Sequence, residues 1–242
     1  MSLRGKYILI TGGAKRIGKS LALTVAQRGA NVIIHYNRSS LDVIEVQRKI
    51  ERIGREAHLI QSDFSHPDQV LRLIEQASSF GKLFALVNNA SIFEPLNLTN
   101  TTLESWQRHF MVNLTAPFLL SQQFARILEP NREGRIVNIL DWRALRPGKD
   151  HLPYTISKSA LAALTKSLAL ELAPRITVNG LALGAILPPS DQVDSSNEII
   201  ARVPAQRWGN LKEVGDALLF LLDGPSYITG EIIHIDGGRH LT

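Results

Sequence analysis

The opening of the chain constrains its fold more than any other stretch. Residues Tyr7 to Ile10 form a short apolar run that ends in Thr11 and Gly12. A helical pattern follows, with Ile17, Leu21, Val25 and Ala26 on one face, and Gly29-Ala30-Asn31 turns the chain into a second apolar run, Val32 to Ile34. Strand, glycine-rich turn, helix and strand within about thirty residues make the first βαβ unit of a doubly wound sheet. Glycines at such a turn let the backbone approach a pyrophosphate, and the helix N-terminus offers it free N–H groups and positive dipole.

Apolar runs and helical patterns alternate through the rest of the chain, which predicts a parallel sheet with helices on both faces. Strands are expected at 6–11, 31–36, 57–62, 83–88, 134–140, 175–181 and 231–236. Helices are expected at 16–28, 40–53, 67–79, 102–128, 152–173 and 211–222. Thr101 with Glu104, and Asn210 with Glu213, fit a capping box. No linker, repeat or low-complexity tract divides the 242 residues, so the expectation is one α/β domain, 1–242, a Rossmann fold with a seven-stranded parallel sheet. The least regular stretch, about 184–209, holds Pro188, Pro189 and Pro204 and reads as a substrate lid beyond the strand ends.

A second constellation carries chemistry. Tyr154 and Lys158 stand at Tyr-x-x-x-Lys spacing, which places both on one helix face, and Asp141 precedes the tyrosine by thirteen residues. A phenol ordinarily titrates near pH ~10, and an ammonium one turn away would stabilise the phenolate and bring it towards the working range. The pair alone recurs by chance in many helices; the glycine-rich turn upstream gives it weight.

The glycine spacing is Gly-x-x-x-(Gly)-x-Gly, from Gly12 to Gly18, with Arg16 in the middle position. Together with Tyr154 and Lys158 it resembles the short-chain dehydrogenase/reductase family, from about Lys6 to Gly238. Asn88-Asn89-Ala90, Asn113, Ile136-Val137-Asn138 and Asp236-Gly237-Gly238 agree in order. The resemblance implies nicotinamide-dependent oxidoreduction, with Tyr154, Lys158 and Asn113 in the catalytic set and a water on the Asn113 carbonyl. Pro117 removes the N–H that this carbonyl would meet in a regular helix, although a simple kink against the core fits Pro117 equally well. The implied cofactor contacts are Gly12, Arg16, Ile17, Gly18, His35, Tyr36, Arg38, Ser39, Asp63, Asn89, Ala90, Ser91, Tyr154, Lys158, Gly184 and Ile186. Leu183-Gly184 stands where the family usually has Pro-Gly.

Two departures narrow the resemblance. Family members usually carry a serine at the position of Asp141, and it hydrogen-bonds the substrate carbonyl. An ionised aspartate facing a developing alkoxide would be destabilising, whereas a ring C=N bond passing through a cationic form would gain from it. The alternative is a lost active site. Thr11-Gly12-x-x-x-Arg16-x-Gly18, His35-Tyr36-x-Arg38-Ser39, Asn88-Asn89-Ala90-Ser91-x-Phe93 and the Asp141/Tyr154/Lys158 set look like pteridine reductases, and the closing Asp236-Gly237-Gly238-Arg239-His240-Leu241 is similar to bacterial dihydromonapterin reductases. By that resemblance Phe93 stacks on a pterin, Ser91 and Arg16 bond pterin or phosphate, and Asp141 and Tyr154 face the substrate. Phe93 as a core residue and Arg16 as a solvated arginine are the competing readings.

The second strand ends His35-Tyr36-Asn37-Arg38-Ser39, with no acid before Asp42. An acid there would bond a ribose 2′-hydroxyl; Arg38 and Ser39 instead suit a 2′-phosphate, so NADPH is favoured over NADH. His35 or Tyr36 could flank the adenine. The net charge of +5 comes from scattered residues, which argues against nucleic acid as a partner. Zero cysteines exclude disulfides and thiolate catalysis, and the seven histidines show no metal-ligand spacing, so no metal is expected. No run of about eighteen apolar residues implies a membrane span, and the start does not read as a signal peptide, which points to a cytoplasmic location. The expected activity is NADPH-dependent reduction of a dihydropterin, dihydromonapterin or dihydrofolate. The alternatives are a carbonyl or 3-oxoacyl reductase and a catalytically silent NADPH-binding sensor. The helix at 152–173 is apolar nearly all round, which with the helix at 102–128 predicts a four-helix interface and a homotetramer. In the family the chain's end lies near a neighbour's site, with Arg239 or His240 as contacts.

Overall fold

A computed structural model describes residues 3–187 and 196–242. All seven apolar runs form strands: β1 Tyr7–Ile10, β2 Asn31–Tyr36, β3 Ala57–Gln61, β4 Leu83–Asn88, β5 Gly134–Asp141, β6 Ile176–Leu183 and β7 Ile232–Ile235. They make one sheet in the order β3-β2-β1-β4-β5-β6-β7, every pair parallel. Helices α1 Arg16–Gln27, α2 Ser40–Arg52, α3 Pro67–Ser78, α4 Leu103–Phe110, α5 Ala116–Ile127, α6 Leu152–Leu172, α7 Ser196–Ala201 and α8 Leu211–Asp223 complete the chain.

Strand alternation divides the core. Ile8, Ile10, Val32 and Ile34 point to the face covered by α1, α2 and α8, where they meet Val25, Val46 and Leu218. Leu9, Ile33 and Leu86 point to the other face and meet Val70, Leu120, Phe124 and Leu168. Both faces of the strands are therefore covered, which is why they read as near-continuous apolar runs. The strand order reverses between β1 and β4, so the loops after β1, β4, β5 and β6 open onto one crevice at the carboxyl edge. Among the described residues no helix is long and apolar enough to cross a membrane.

Three expectations need correction. The single helix expected at 102–128 is two helices joined by a π-helical turn, Met111–Thr115, in which the Ala116 N–H bonds the Met111 carbonyl five residues back. Pro117 has no N–H for the carbonyl of Asn113, and the wider turn absorbs that defect. The box at the start of α4 uses Thr102 and Ser105, one residue later than Thr101 and Glu104, whereas Asn210 and Glu213 cap α8 as expected. The stretch read as a lid, 184–209, contains a helix, α7; its residues 188–195, with Pro188 and Pro189, lie outside the described residues.

Candidate active site

The glycine turn after β1 is locked from two neighbouring strands. Thr11 Oγ1 accepts from the N–H groups of Asn89 and Ala90, both at 2.9 Å, and Asn89 Nδ2 donates to the carbonyls of Thr11 at 2.8 Å and Gly12 at 3.1 Å. The Gly12 N–H donates to His35 Nδ1 at 3.1 Å, so His35 Nε2 carries the proton and donates to the Ser62 carbonyl at 2.9 Å. Burial pushes His35 down to about 4, which keeps the ring neutral, and Phe64 stacks on it at 4.0 Å. His35 therefore differs from its expected place beside an adenine: one ring nitrogen is spent on the turn and the other on the Ser62 carbonyl after β3. The Asn89 amide likewise serves the turn.

Only glycine fits twice here. Gly12 has φ +64, and a Cβ on it would meet the Ala90 Cα at 2.9 Å; a Cβ on Gly18 would lie 2.1 Å from the Gly12 carbonyl oxygen. Helix α1 starts without a side-chain cap and without an acid in its first turn, so its leading N–H groups carry no intrachain carboxylate. Exposed Arg16 takes φ 49, a left-handed conformation that a glycine would adopt without strain. Ile17 packs partly against the core behind it.

At the end of β2, Tyr36 is half-buried against the core, Arg38 is exposed, and Ser39 precedes the first turn of α2. The one acid in that first turn, Asp42, pairs with Lys15 at 3.0 Å. Asp63, expected at the cofactor, accepts from the Ser65 N–H at 2.9 Å and the Ser65 hydroxyl at 2.7 Å. The Ser65 N–H holds its carboxyl below the usual range, against the opposing effect of burial. Beyond β6, Gly184 passes so close to β7 that a Cβ would meet the Asp236 Cα at 2.6 Å. Ile186 is buried in the core, which leaves its backbone as the part able to face a ligand.

β5 runs one residue further than expected and ends on Asp141, placing that carboxylate opposite the first turn of α6. Tyr154 Oη donates to Asp141 Oδ2 at 3.0 Å, and the Arg143 N–H donates to Asp141 Oδ1 at 2.8 Å. Lys158 lies on the same helix face, fully buried, with Nζ donating to the Ile139 carbonyl at 2.7 Å and 5.8 Å from the centre of the Tyr154 ring. Burial pushes Asp141 up, opposed by the Arg143 N–H and guanidinium. Burial, then the Asp141 charge, pushes Tyr154 well above the ordinary phenol value. Burial draws Lys158 down to about 8, with Asp141 opposing. The sequence reading had Lys158 bringing the phenol towards neutrality. Here burial prevails and Asp141 adds to it, because ionising Tyr154 would set a second negative charge against its own hydrogen-bond acceptor. The two groups share one hydrogen bond, so their protons titrate as a pair.

Asn113 is buried and acts through its side chain. Its Oδ1 accepts from the Ile92 N–H at 2.9 Å and Ser91 Oγ at 3.1 Å, and its Nδ2 donates to the Ile92 carbonyl at 3.1 Å and Ser157 Oγ at 3.0 Å. It ties the loop after β4 to α6. On that loop Phe93 is half-exposed, contradicting a core role; its ring meets Tyr154 edge-on at 4.6 Å and stacks face to face with His151 at 3.8 Å.

Sequence reasoning missed Ser157, His151 and Lys15. Ser157 had a signal, since it sits beside Lys158 on a helix already assigned. His151 had none, because its position at φ 56 ahead of α6 depends on the loop between β5 and α6. The site is thus a buried Asp–Tyr–Lys group with an aromatic platform at its mouth and an uncapped helix N-terminus at its other end.

Comparisons with known proteins agree with that geometry. The family model described as enoyl-(acyl carrier protein) reductase, of the adh_short_C2 group, matches residues 12–240. A 3-oxoacyl-(acyl-carrier-protein) reductase of Synechocystis is 32% identical over 241 residues, 98% of each chain. The crystal structure of FolM alternative dihydrofolate reductase 1 from Brucella canis, complexed with NADP, superposes with TM-score 0.92 at 36% identity, covering 100% of this chain and 97% of that one. A short-chain dehydrogenase of Burkholderia cenocepacia in complex with NADP gives TM-score 0.92 at 35% identity, covering 99% of each chain. The chain belongs to the short-chain dehydrogenase/reductase family of oxidoreductases.

Proposed function

We propose that the protein is an NADPH-dependent reductase of a dihydropterin ring, acting on a C=N bond. The observation that carries this reading is the carboxylate of Asp141 accepting from the phenol of Tyr154 at 3.0 Å. Its side chain keeps 18% of its surface exposed, enough for a ligand atom to reach it.

The turn after β1 fits a dinucleotide: Gly12 and Gly18 leave no room for a Cβ, and the α1 N-terminus is free to receive a pyrophosphate. Arg38 and Ser39 at the start of α2 supply charge and hydroxyl for a 2′-phosphate, and Lys15 neutralises the neighbouring Asp42. Gly12, Arg16, Ile17, Gly18, Tyr36, Ala90 and the backbone of Gly184 and Ile186 complete the proposed cofactor contacts. The FolM protein and the Burkholderia enzyme were both crystallised with NADP, which supports the same cofactor here. When bound, NADPH supplies the hydride.

The chain's own residues manage the proton. A ring nitrogen entering the site meets the Tyr154 hydroxyl, hydrogen-bonded to Asp141, as its proton donor. The Asp141 charge stabilises the cationic ring on the way to the product. When the proton leaves, the extra negative charge on the pair lies near the ammonium of Lys158 and the Arg143 guanidinium, which is 3.9 Å from Asp141 Oδ1. Phe93, one face of which stacks on His151, would give its other face to a heteroaromatic ring, Asn113 fixes the loop that carries Phe93 and Ser91, and Arg16 stands at the phosphate end.

A second reading, reduction of a 3-oxoacyl thioester, is favoured by the identity with the Synechocystis enzyme. Asp141 argues against it, because a developing alkoxide would face a carboxylate. NADPH oxidation with dihydrobiopterin, dihydromonapterin, dihydrofolate and an acetoacetyl thioester separates the readings. Turnover should be confined to the pterins, and faster turnover of the thioester overturns the proposal. A homotetramer belongs to the same reading: α6 leaves Leu170 and Ile156 exposed and α5 leaves Phe118 exposed, apolar surface that a two-fold partner would cover. Sedimentation at micromolar concentration should show about four times 26.8 kDa.

A further inference from the structure

Beside the catalytic carboxylate lies a cavity of about 640 Å³, lined among others by Trp142, Pro147, Gln206 and the arginines Arg146, Arg202 and Arg239. Among the described residues no acidic side chain lines it. A fourth arginine, Arg143, lies against the same tryptophan: the guanidiniums of Arg143 and Arg239 sit 5.0 and 4.9 Å from the Trp142 ring centre. Arg143 has carboxylate partners in Asp141 and Asp150, but among the described residues no carboxylate lies within 4.0 Å of Arg146, Arg202 or Arg239. Burial, and then the charges of Arg202, Arg143 and Arg146, hold Arg239 below the ordinary arginine value. Convergent unpaired guanidiniums repel one another, and a bound anion relieves that cost through forked, charge-assisted hydrogen bonds.

The arginines come from three separate places in the sequence. Arg146 follows β5, Arg202 follows α7, and Arg239 lies in the short helical turn after β7. Arg239 Nη1 donates to the Arg202 carbonyl at 2.6 Å, which joins the last two. Trp142 directly follows Asp141 in the chain, and Arg143 links the cavity to the site, its guanidinium lying 3.9 Å from Asp141 Oδ1 and 5.0 Å from the Trp142 ring centre.

We propose that this cavity is a subsite for an anionic tail on the substrate, a carboxylate or phosphate carried by the group attached to the pterin ring. The inference rests on the pterin reading for the identity of the ring, while the cavity's taste for anions stands on its own residues. Trp142 would pack the stem of the tail, and Arg146, Arg202 and Arg239 would take the oxyanions. A neutral polyol tail would leave these guanidiniums unused.

The test uses the full chain saturated with NADP⁺, so that the nucleotide site is filled. Calorimetric titration with p-aminobenzoyl-glutamate and with inorganic pyrophosphate distinguishes a carboxylate tail from a phosphate one, and p-aminobenzamide is the neutral control. At least one dianion should bind, weakening about tenfold or more in the double variant Arg146→Ala/Arg202→Ala and falling off with added salt, while the control shows no binding. Failure of both dianions to bind, or equal affinity in the variant, overturns the subsite. In turnover, the double variant should raise KM for dihydrofolate about tenfold and leave dihydrobiopterin unchanged; an equal change for both overturns it too. If neither pterin oxidises NADPH, the proposed function falls, and the calorimetry still decides the subsite.

Discussion

On the β1–β2 side of the crevice, the groups that shape the glycine turn are neutral and satisfy one another: Thr11, Asn89, Gly12 and a histidine held uncharged by burial. On the β5–α6 side three ionisable groups, Asp141, Tyr154 and Lys158, are buried together, each displaced from its ordinary titration range. The first side is shaped to be rigid over the whole neutral range. The second stores a proton at the expense of burying charge, so it should contribute to chemistry and little to stability. Substitutions on the two sides should therefore separate, one set reading out in turnover and the other in folding.

The largest effect expected from this contrast is on Tyr154. Tyr154→Phe removes the proton carrier but keeps the ring against Phe93, so pterin turnover should fall by about a thousandfold with the melting temperature unchanged. A variant that loses stability in proportion to activity would erase the distinction between the two sides.

Asp141→Ser comes next. It removes the charge that adds to burial in holding the phenol up, so the Tyr154 titration, followed by ultraviolet difference absorbance, should move down, while pterin turnover drops about a hundredfold. Ketone reduction should rise in the same variant. Unchanged pterin turnover would refute the role given to the carboxylate.

Arg38→Asp tests the neutral side at its charged rim. An acid beside the 2′-phosphate position should raise the KM for NADPH about tenfold or more and spare NADH. Equal losses for both cofactors would show that Arg38 does not read that phosphate.

The smallest effect is confined to folding. His35 binds its proton at about 4 in the folded state against 6.5 ordinarily, so between those values the unfolded chain binds more protons. Its contribution to stability is therefore complete above pH 6.5 and is lost as pH falls towards 4. His35→Gln should cost about 1–3 kcal/mol at pH 7. The gap between variant and wild type in urea denaturation should close as pH falls through that window. A gap that stays constant with pH would mean that the ring's neutrality is not what supports the turn.

Seven strands, their parallel order and the crevice were legible in the sequence because each rests on local signals: apolar runs of strand length, helical periodicity, and turns in which glycine is sterically required. The Tyr154 and Lys158 spacing was legible for the same reason, since one helix fixes their relation. The broken helix at 102–128 was half-legible: Pro117 marked the defect, but whether a kink or a π turn absorbs it depends on what packs around Asn113.

What the sequence by itself determined is which side chains the chain owns and which neighbours along one element share a face. What only the tertiary structure decided is what those side chains face across elements. His35 looked free to meet a ligand and turns inward to hold Gly12, since a buried ring must satisfy both nitrogens. Lys158 looked set to ease ionisation of Tyr154, yet burial, and then Asp141 on β5, act against it. Arg146, Arg202 and Arg239 are scattered along the chain and converge around Trp142 only when β5, the segment after α7 and the turn after β7 meet. Charge and hydrogen bonding act through space over a few ångströms, and sequence distance records that separation only within a single helix or strand.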